Sequence, residues 1–270
     1  MLLAIDVGNS NTSIGVFAGD ALRCELRLST QRNWTRDEVA VAIERVLALA
    51  GVRFADLHDA VVASVVPPAL APLLRALSHY ARLDALVVEP GLPTGMPILY
   101  DPPHEVGADR IVAAVAAHAR YGTAHIAPPG ASEPHGLLVV DFGTATTFDV
   151  VTPTPEYLGG VIAPGIGISA DALFARAAKL PRVDIARPAR VVGTNTIMAV
   201  QSGLLYGYVG LVEGVIRRIR GELGYPVRVI ATGGFAPDVA RETDVVDSVD
   251  DTLVLDGLRL IHGFNRGPRA

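Results

Sequence analysis

Hydrophobic and polar positions alternate in blocks along the first part of the chain, and these blocks predict a β-meander. An apolar run over residues 2–5 ends at Asp6, a polar turn follows, and a second apolar run over residues 14–17 leaves the turn. Residues 21–28 alternate apolar with polar, which is typical of a strand with one exposed face. The opening therefore predicts three consecutive strands, of which the first two form a hairpin.

Helical periodicity then replaces this alternation. Thr35 can cap a helix, Glu38 stands at the capping-box position, and Gly51 ends the helix. The pattern next predicts a strand, a helix and a short strand over residues 59–66, 69–80 and 83–88. An antiparallel meander followed by β–α–β crossovers predicts a mixed sheet with helices on its faces.

The second half of the chain repeats the opening pattern. An apolar strand ends at Asp141, a turn rich in glycine and hydroxyl residues follows, and an apolar strand returns to residue 151. Asp6 and Asp141 are separated by half the chain length, so a duplicated strand–turn–strand unit organises the sequence. Further elements are predicted as a strand over 156–162, helices from Ile168 and Thr196, a strand over 228–231 and a helix within 250–264. Segments 90–103 and 125–136 are predicted loops.

The two polar turns carry the candidate chemistry. Each offers a carboxylate for a hydrated metal ion, glycine for close backbone approach, and hydroxyl or amide groups for anionic oxygens. An ordinary hairpin with an Asn/Ser/Gly turn is the alternative. Because the pattern occurs twice, we expect two like domains that face each other, each contributing one phosphate-binding hairpin to a cleft.

Composition and charge narrow the class of protein. The 270 residues carry a net charge of −5 with no strongly basic stretch, which argues against nucleic-acid binding. The single cysteine, Cys24, excludes an intrachain disulfide and a cysteine cluster for zinc, which fits a reducing cytosol. No signal peptide and no membrane-spanning run are evident in the sequence, so we expect a cytoplasmic protein without a membrane partner.

An ordered set of four motifs resembles the type III pantothenate kinases of the acetate and sugar kinase/Hsp70/actin superfamily. These motifs are Asp6–Ser10, Gly107–Arg110, Asp141–Thr147 and Thr232–Gly234, and the resemblance extends from residue 2 to about residue 264. It implies an α/β fold of two duplicated ribonuclease H-like (actin-like ATPase) domains, each a mixed five-stranded sheet flanked by helices. The first domain, 1–105, would carry the phosphate 1 motif, and the second, 106–270, would carry the substrate, phosphate 2 and adenosine motifs.

The resemblance also implies ATP-dependent phosphorylation of pantothenate to 4′-phosphopantothenate, the first step of coenzyme A biosynthesis. Asp6 would lie near Mg²⁺, directly or through water, and Asp141 would lie where the family binds K⁺ or NH₄⁺. The residues implied to bind ATP are Asp6, Val7, Gly8, Asn9, Ser10, Asn11, Thr12, Ser13, Thr144, Gly233 and Gly234.

Asp109 would accept the hydroxyl proton of pantothenate, and the planar guanidinium of Arg110 suits a carboxylate. The residues implied to bind pantothenate are Tyr100, Gly107, Ala108, Asp109, Arg110 and Thr196. Two alternatives remain open for these residues. Asp109 and Arg110 could be a capped helix start with a solvated charge pair, and Tyr100 could pack over an interdomain seam.

Neither turn contains Lys or Arg, and no Gly-x-x-x-x-Gly-Lys pattern is present, so a P-loop mechanism is excluded. Charge compensation for ATP must come from metal ions, backbone N–H groups and Arg110. The helical stretch 196–220 has an apolar face and several glycines, which fits either the dimer face that the resemblance implies or a core helix. Rival functions are another small-molecule kinase of the superfamily and a regulatory ATP-binding accessory protein.

Overall fold

The computed structural model describes residues 1–122 and 134–266, which form ten strands and seven α-helices. The strands are β1 Leu2–Val7, β2 Asn11–Ala18, β3 Ala21–Ser29, β4 Asp59–Ser64, β5 Leu86–Val87, β6 Gly136–Phe142, β7 Ala145–Val151, β8 Tyr157–Pro164, β9 Val227–Thr232 and β10 Ser248–Val249. The helices are α1 Arg36–Leu49, α2 Pro67–Ala76, α3 Ala108–Tyr121, α4 Ile166–Arg176, α5 Thr196–Leu223, α6 Ala236–Ala240 and α7 Leu253–Arg266.

The chain divides into two compact units. Unit 1 comprises Met1–Ala119 and Thr252–Ala270, and unit 2 comprises Arg120–Asp251. Unit 1 contains a five-stranded sheet in the order β3-β2-β1-β4-β5. The central strand β1 pairs antiparallel with β2 and parallel with β4, so the predicted meander and crossover are confirmed.

Helix α1 covers the core of unit 1 and begins where the sequence predicts. The Thr35 side chain accepts a hydrogen bond from the Glu38 backbone N–H at 3.3 Å, and the Thr35 N–H donates to Glu38 Oε2 at 2.8 Å. This reciprocal pair is the predicted capping box. The apolar face of α1 places Ile43 and Leu47 in the same core cluster as Leu3 and Ile5 of β1.

Helix α7 and helix α3 up to Ala119 also belong to unit 1. Helix α7 lies against β1, β2 and β4, and its Gly257 packs directly on the Val112 carbonyl group of α3. The predicted boundary between residues 105 and 106 differs from this division, because it assigns both helices to the second domain. The last helix returns to the first sheet, a long-range contact that no local sequence pattern indicates.

Unit 2 repeats the topology of unit 1. Its sheet has the order β10-β9-β6-β7-β8, with β6 antiparallel to β7 and parallel to β9. Helix α5 packs on this sheet through Val212 and Ile216, both fully buried. The expected α/β fold of two mixed five-stranded sheets flanked by helices is therefore confirmed. The two-residue strand β10 and the short helix α6 were not predicted.

Helix α5 is, among the described residues, the one helix long and apolar enough to cross a membrane by length and composition. Its buried face is part of the core cluster of unit 2. The core helix of a globular protein can meet the same criteria of length and composition. The predicted loop 125–136 lies largely outside the described residues.

We expect Gly257→Ala to destabilise unit 1, because the new Cβ would overlap the carbonyl oxygen of Val112. That oxygen belongs to the backbone of α3, which cannot move aside without a large cost in energy. Overpacking of this kind costs about 1–3 kcal/mol. Gly263→Ala, on the exposed side of the same helix with nothing within 4 Å of the new Cβ, is the matched control. It should be neutral or gain up to about 1 kcal/mol of helix propensity. Urea denaturation followed by circular dichroism measures both, and equal stabilities would contradict the packing of α7 on α3.

Candidate functional site

The first polar turn leaves the carboxyl end of the central strand of unit 1. Asp6 is half-buried on β1, opposite Ser13 of β2 and Ala63 of β4. The turn closes with a hydrogen bond from the Gly8 N–H to the Asn11 carbonyl oxygen at 3.0 Å. The side chains at the tip, Asn9, Ser10 and Asn11, are exposed. The turn therefore presents polar side chains to solvent beside a carboxylate that the sheet holds in place.

A segment just after β3 braces this turn. Thr30 Oγ1 donates to the Gly8 carbonyl oxygen at 2.7 Å, and the Thr30 N–H donates to the Ser10 carbonyl oxygen at 3.0 Å. Thr12 Oγ1 lies 3.0 Å from Thr30 Oγ1, which it reaches as a donor because the Thr30 hydroxyl proton is already used. Sequence reasoning missed Thr30. The available signal was the end of the alternating β3 pattern, since β3 pairs with the strand that leaves the turn.

A basic side chain extends from the same segment. Arg32 Nη2 donates to Asn9 Oδ1 at 3.0 Å, so a guanidinium group is held at the tip of the first turn. Sequence reasoning missed this residue too, because Arg32 is 23 positions away from Asn9 along the chain.

The substrate motif begins α3 in unit 1. The Arg110 N–H donates to Asp109 Oδ1 at 2.8 Å, which orients the carboxylate at the start of the helix, where the helix dipole favours negative charge. A Cβ on Gly107 would lie 2.5 Å from Asp109 Oδ1 and 3.7 Å from Val65 Cγ1. The Val65 N–H in turn donates to the Val7 carbonyl oxygen at 3.1 Å. The motif therefore lies beside the strand ends from which the first turn leaves.

Arg110 is buried, with 9% of its surface exposed, and this is at odds with the alternative of a solvated charge pair. Tyr100 is half-buried in the connection between β5 and α3 of the same unit. Unit 1 thus contains the first turn, Asp109, Arg110 and Tyr100.

The second polar turn occupies the equivalent place in unit 2. Asp141 is half-buried near the end of β6, opposite Thr147 of β7 and Thr232 of β9, and Thr144 is exposed at the turn. Gly233 has φ of +91° and packs so closely on Asp141 that a Cβ would overlap the carboxylate oxygen Oδ1. The Thr232–Gly234 motif and Asp141 therefore meet at one edge of the sheet, and only glycine fits at position 233.

A buried tyrosine supports this second turn from behind. The hydroxyl of Tyr208, on α5, is hydrogen-bonded with Thr146 Oγ1 of β7 and with the backbone of Ile166 at the start of α4. Burial raises the pKa of Tyr208 to about 12, and the charge of Asp141 acts in the same direction. Tyr208 therefore keeps its proton and joins three elements around the turn. No sequence motif pointed to it.

Thr196 lies elsewhere in unit 2, at the first position of α5. The Met198 N–H donates to Asn195 Oδ1 at 2.9 Å and so caps the helix. Thr196 is exposed and lines a groove of about 630 Å³. Apolar side chains from α4 and α5, Leu173 and Leu204 among them, form part of the lining.

Oxygen donors for cations are sparse at these turns. Across residues 1–122 and 134–266, no group of three His, Cys, Asp or Glu side chains could hold a metal ion. Asp6 and Asp141 each provide a single carboxylate at a strand end. Such a donor suits an ion that takes its remaining ligands from water, backbone or a bound phosphate rather than from a cage of side chains.

Known proteins match this chain both in sequence and in fold. The family model of the type III pantothenate kinases matches residues 2–218. A type III pantothenate kinase from Myxococcus xanthus is 50% identical over 265 residues, covering 98% of this chain and 99% of that protein.

Solved structures with low sequence identity share the fold. A protein from Campylobacter jejuni described as a Baf-family transcriptional activator aligns with a TM-score of 0.59 at 19% identity, covering 98% of this chain and 100% of that one. An archaeal actin homologue aligns with a TM-score of 0.52 at 12% identity, covering 96% and 98%. At these identities the likeness establishes the actin-like fold and no more.

We expect Tyr208→Phe to cost about 1–3 kcal/mol, because it leaves buried hydrogen-bonding groups at Thr146 and Ile166 without their partner. Tyr225→Phe is the matched control. Its buried hydroxyl has no hydrogen-bond partner among the described residues, so its loss should be neutral or stabilising. Urea unfolding of the two variants measures the difference, and an equal effect would show that the Tyr208 hydroxyl does not brace the turn.

The Tyr208→Phe variant should also change how the stability of the protein depends on pH in the alkaline range. Between the usual tyrosine pKa of 10.0 and the raised pKa of about 12, unfolded Tyr208 releases its proton while folded Tyr208 keeps it. The stability of the wild type should therefore decrease as the pH rises through this window, and Tyr208→Phe should not show the part of this decrease that Tyr208 causes.

Proposed function

Because this chain belongs to the type III pantothenate kinase family, we infer that it phosphorylates pantothenate with ATP in coenzyme A biosynthesis. The observation that carries the inference is the 50% identity over almost the whole chain to a kinase of that name. The geometry of unit 1 adds a carboxylate, Asp109, oriented beside the strand ends that bear a candidate phosphate turn. The residue roles below are our proposals.

Asp109 is the proposed proton acceptor. The hydroxyl oxygen of pantothenate attacks the γ-phosphorus, the bond from that phosphorus to the bridging oxygen of ADP breaks, and the hydroxyl proton passes to the Asp109 carboxylate. A free Asp has a pKa of about 3.9 and is a weak base for an alcohol. In a loose transition state the proton leaves late, so Asp109 needs to orient the hydroxyl and take up its proton as the new bond forms. The hydrogen bond from the Arg110 N–H to Oδ1 fixes the orientation of the Asp109 carboxylate.

The two turns are proposed to bind ATP. Residues 6–13 of the first turn, whose tip residues Asn9, Ser10 and Asn11 are exposed, and Thr144 of the second turn contact the phosphates. Gly233 and Gly234 let the nucleoside lie against backbone. Support comes from the exposed tip and from the close packing of Gly233 on Asp141, because glycine adds no side chain of its own at this edge of the sheet.

Two cations complete the proposed nucleotide site. Asp6 fits Mg²⁺, which in kinases keeps several waters and takes one or two carboxylates together with the substrate phosphates. Asp141 is proposed to hold a monovalent cation, K⁺ or NH₄⁺, as the family resemblance implies. When bound, these ions supply positive charge that the turns themselves do not.

Pantothenate is proposed to contact Gly107, Ala108 and Arg110 of the substrate motif, together with Tyr100 and Thr196. Arg110 offers a planar guanidinium to the pantothenate carboxylate. Its burial fits this role, because a charge-assisted hydrogen bond is stronger where water is excluded.

We also propose a homodimer, formed in the cytoplasm, with α5 in its interface. Added Cβ atoms at Gly203, Gly207 and Gly210 of α5 would meet nothing within 4 Å. Ile197 at the start of the helix is 51% exposed. An open stripe of small residues with apolar neighbours allows a second helix to approach closely, and a second copy of this chain is the occupant that the family resemblance favours.

We expect ATP turnover that depends on pantothenate, and we expect Asp109→Asn to lower kcat at least about 100-fold while ATP still binds. A coupled assay of ADP release measures turnover, and calorimetry measures ATP binding. Asp84→Asn, an exposed carboxylate of the same unit, is the matched control and should keep wild-type turnover. Retained activity in Asp109→Asn would remove Asp109 from the mechanism.

If wild-type protein binds ATP but shows no pantothenate-dependent turnover in potassium buffer, the kinase assignment is wrong. That outcome would favour the regulatory accessory protein. Turnover with sugars in place of pantothenate would favour another small-molecule kinase of the superfamily.

We expect turnover to be several-fold faster in KCl or NH₄Cl than in NaCl at equal ionic strength, and we expect Asp141→Asn to lose this preference. Asp171→Asn, an exposed carboxylate in the same unit, should retain it. A preference for potassium that survives in Asp141→Asn would place the cation elsewhere.

A further inference from the structure

The first turn lacks positive charge in its own sequence. Residues 6–13 contain no Lys or Arg, although the proposed ligand carries several negative charges on its phosphates. Mg²⁺ neutralises part of that charge. A basic side chain that the fold brings to the turn from elsewhere would supply more.

The fold brings Arg32 to this turn through a short, anchored segment. The register of β2 and β3 pairs Asn11 with Ser29, and Thr30 then makes hydrogen bonds to the Gly8 and Ser10 carbonyl oxygens. Two residues after this clamp, Arg32 Nη2 lies 3.0 Å from Asn9 Oδ1. The clamp and the amide of Asn9 together restrict where the guanidinium can lie, which lowers the entropy lost when it binds a ligand.

The surroundings of Arg32 differ from those of a nearby arginine. Arg36 is paired with Asp37 at 2.6 Å and lies over the ring of Tyr80 at 5.5 Å. Within the described part of the chain, Arg32 makes its one side-chain hydrogen bond to the neutral Asn9 amide, and no carboxylate lies within 4.0 Å. The Arg32 charge is therefore not balanced by a protein anion, and its Nε and Nη1 groups remain available as donors.

We propose that Arg32 binds the β- and γ-phosphates of ATP at the first turn. The planar guanidinium can keep its hydrogen bond to Asn9 through Nη2 while its other nitrogens donate to phosphate oxygens. This proposal rests on the proposed function of the turn as a phosphate site. It identifies a binding residue outside the four motifs, on a segment that sequence reasoning did not connect with the nucleotide.

The test compares Arg32→Gln, Arg32→Lys and the control Arg36→Gln in the full-length protein. Calorimetry without pantothenate measures the Kd values of AMP, ADP and ATP in the presence of Mg²⁺, and steady-state kinetics measures KM for ATP and for pantothenate. Thermal denaturation of each variant confirms that the fold is intact.

Arg32→Gln should weaken ATP binding about tenfold, the lower end for a charge-assisted hydrogen bond because the site is exposed. ADP should weaken less and AMP should be unaffected, since AMP lacks the phosphates concerned. Arg32→Lys should restore part of the loss. KM for ATP should follow the Kd, whereas KM for pantothenate should stay at the wild-type value. Arg36→Gln should bind every nucleotide as the wild type does.

Wild-type ATP affinity in Arg32→Gln would overturn the proposal. An equal loss for AMP and ATP would also overturn it, because Arg32 would then act by shaping the turn through Asn9. Either result in an enzyme that still phosphorylates pantothenate leaves the proposed function standing. Conversely, if Arg32→Gln weakens ATP binding more than ADP binding and leaves AMP binding unchanged in a protein that does not phosphorylate pantothenate, the proposed function is rejected and the role of Arg32 is supported.

Discussion

Both units depend on a central strand that is hydrogen-bonded along both edges and has an aspartate as its penultimate residue. Strand β1 lies between β2 and β4, and β6 lies between β7 and β9. Pairing on two sides leaves the backbone no freedom to change register, because a shift of one residue would turn buried side chains such as Leu3 and Ile5 out of the core. The carboxylates of Asp6 and Asp141 are therefore held in place by strands whose register is fixed by hydrophobic burial.

Close backbone approach then shapes what surrounds these carboxylates. Gly107 lies against the Asp109 carboxylate, and Gly233, at a positive φ, lies against the Asp141 carboxylate. In both places the missing side chain lets an acidic group lie directly on the neighbouring backbone. Gly107 and Gly233 thus have a packing role in this chain that does not depend on a bound ligand.

Local patterns in the sequence were sufficient for much of this architecture. The apolar run ending in Asp, the polar turn and the capping box of Thr35 and Glu38 are all determined within a few residues, and the structure has them where they were predicted. The contacts that escaped prediction join distant positions. Helix α7 returns to the first sheet, and the Tyr208 hydroxyl reaches Thr146 across 62 positions. Such pairs carry no periodic signal, because each partner by itself is an ordinary helix or strand residue.

The basic side chain at the first turn is also supplied from a distant position in the sequence. A long basic side chain within the turn itself would pair with the neighbouring carboxylate instead of with a ligand. A guanidinium supplied from the segment after β3 avoids this, since Asn9 holds Arg32 by a neutral amide that does not balance its charge. Arg110, by contrast, is buried at the start of α3. The fold thus fixes acidic groups at the strand ends, and in unit 1 it places basic side chains near them on the segment after β3 and at the start of α3.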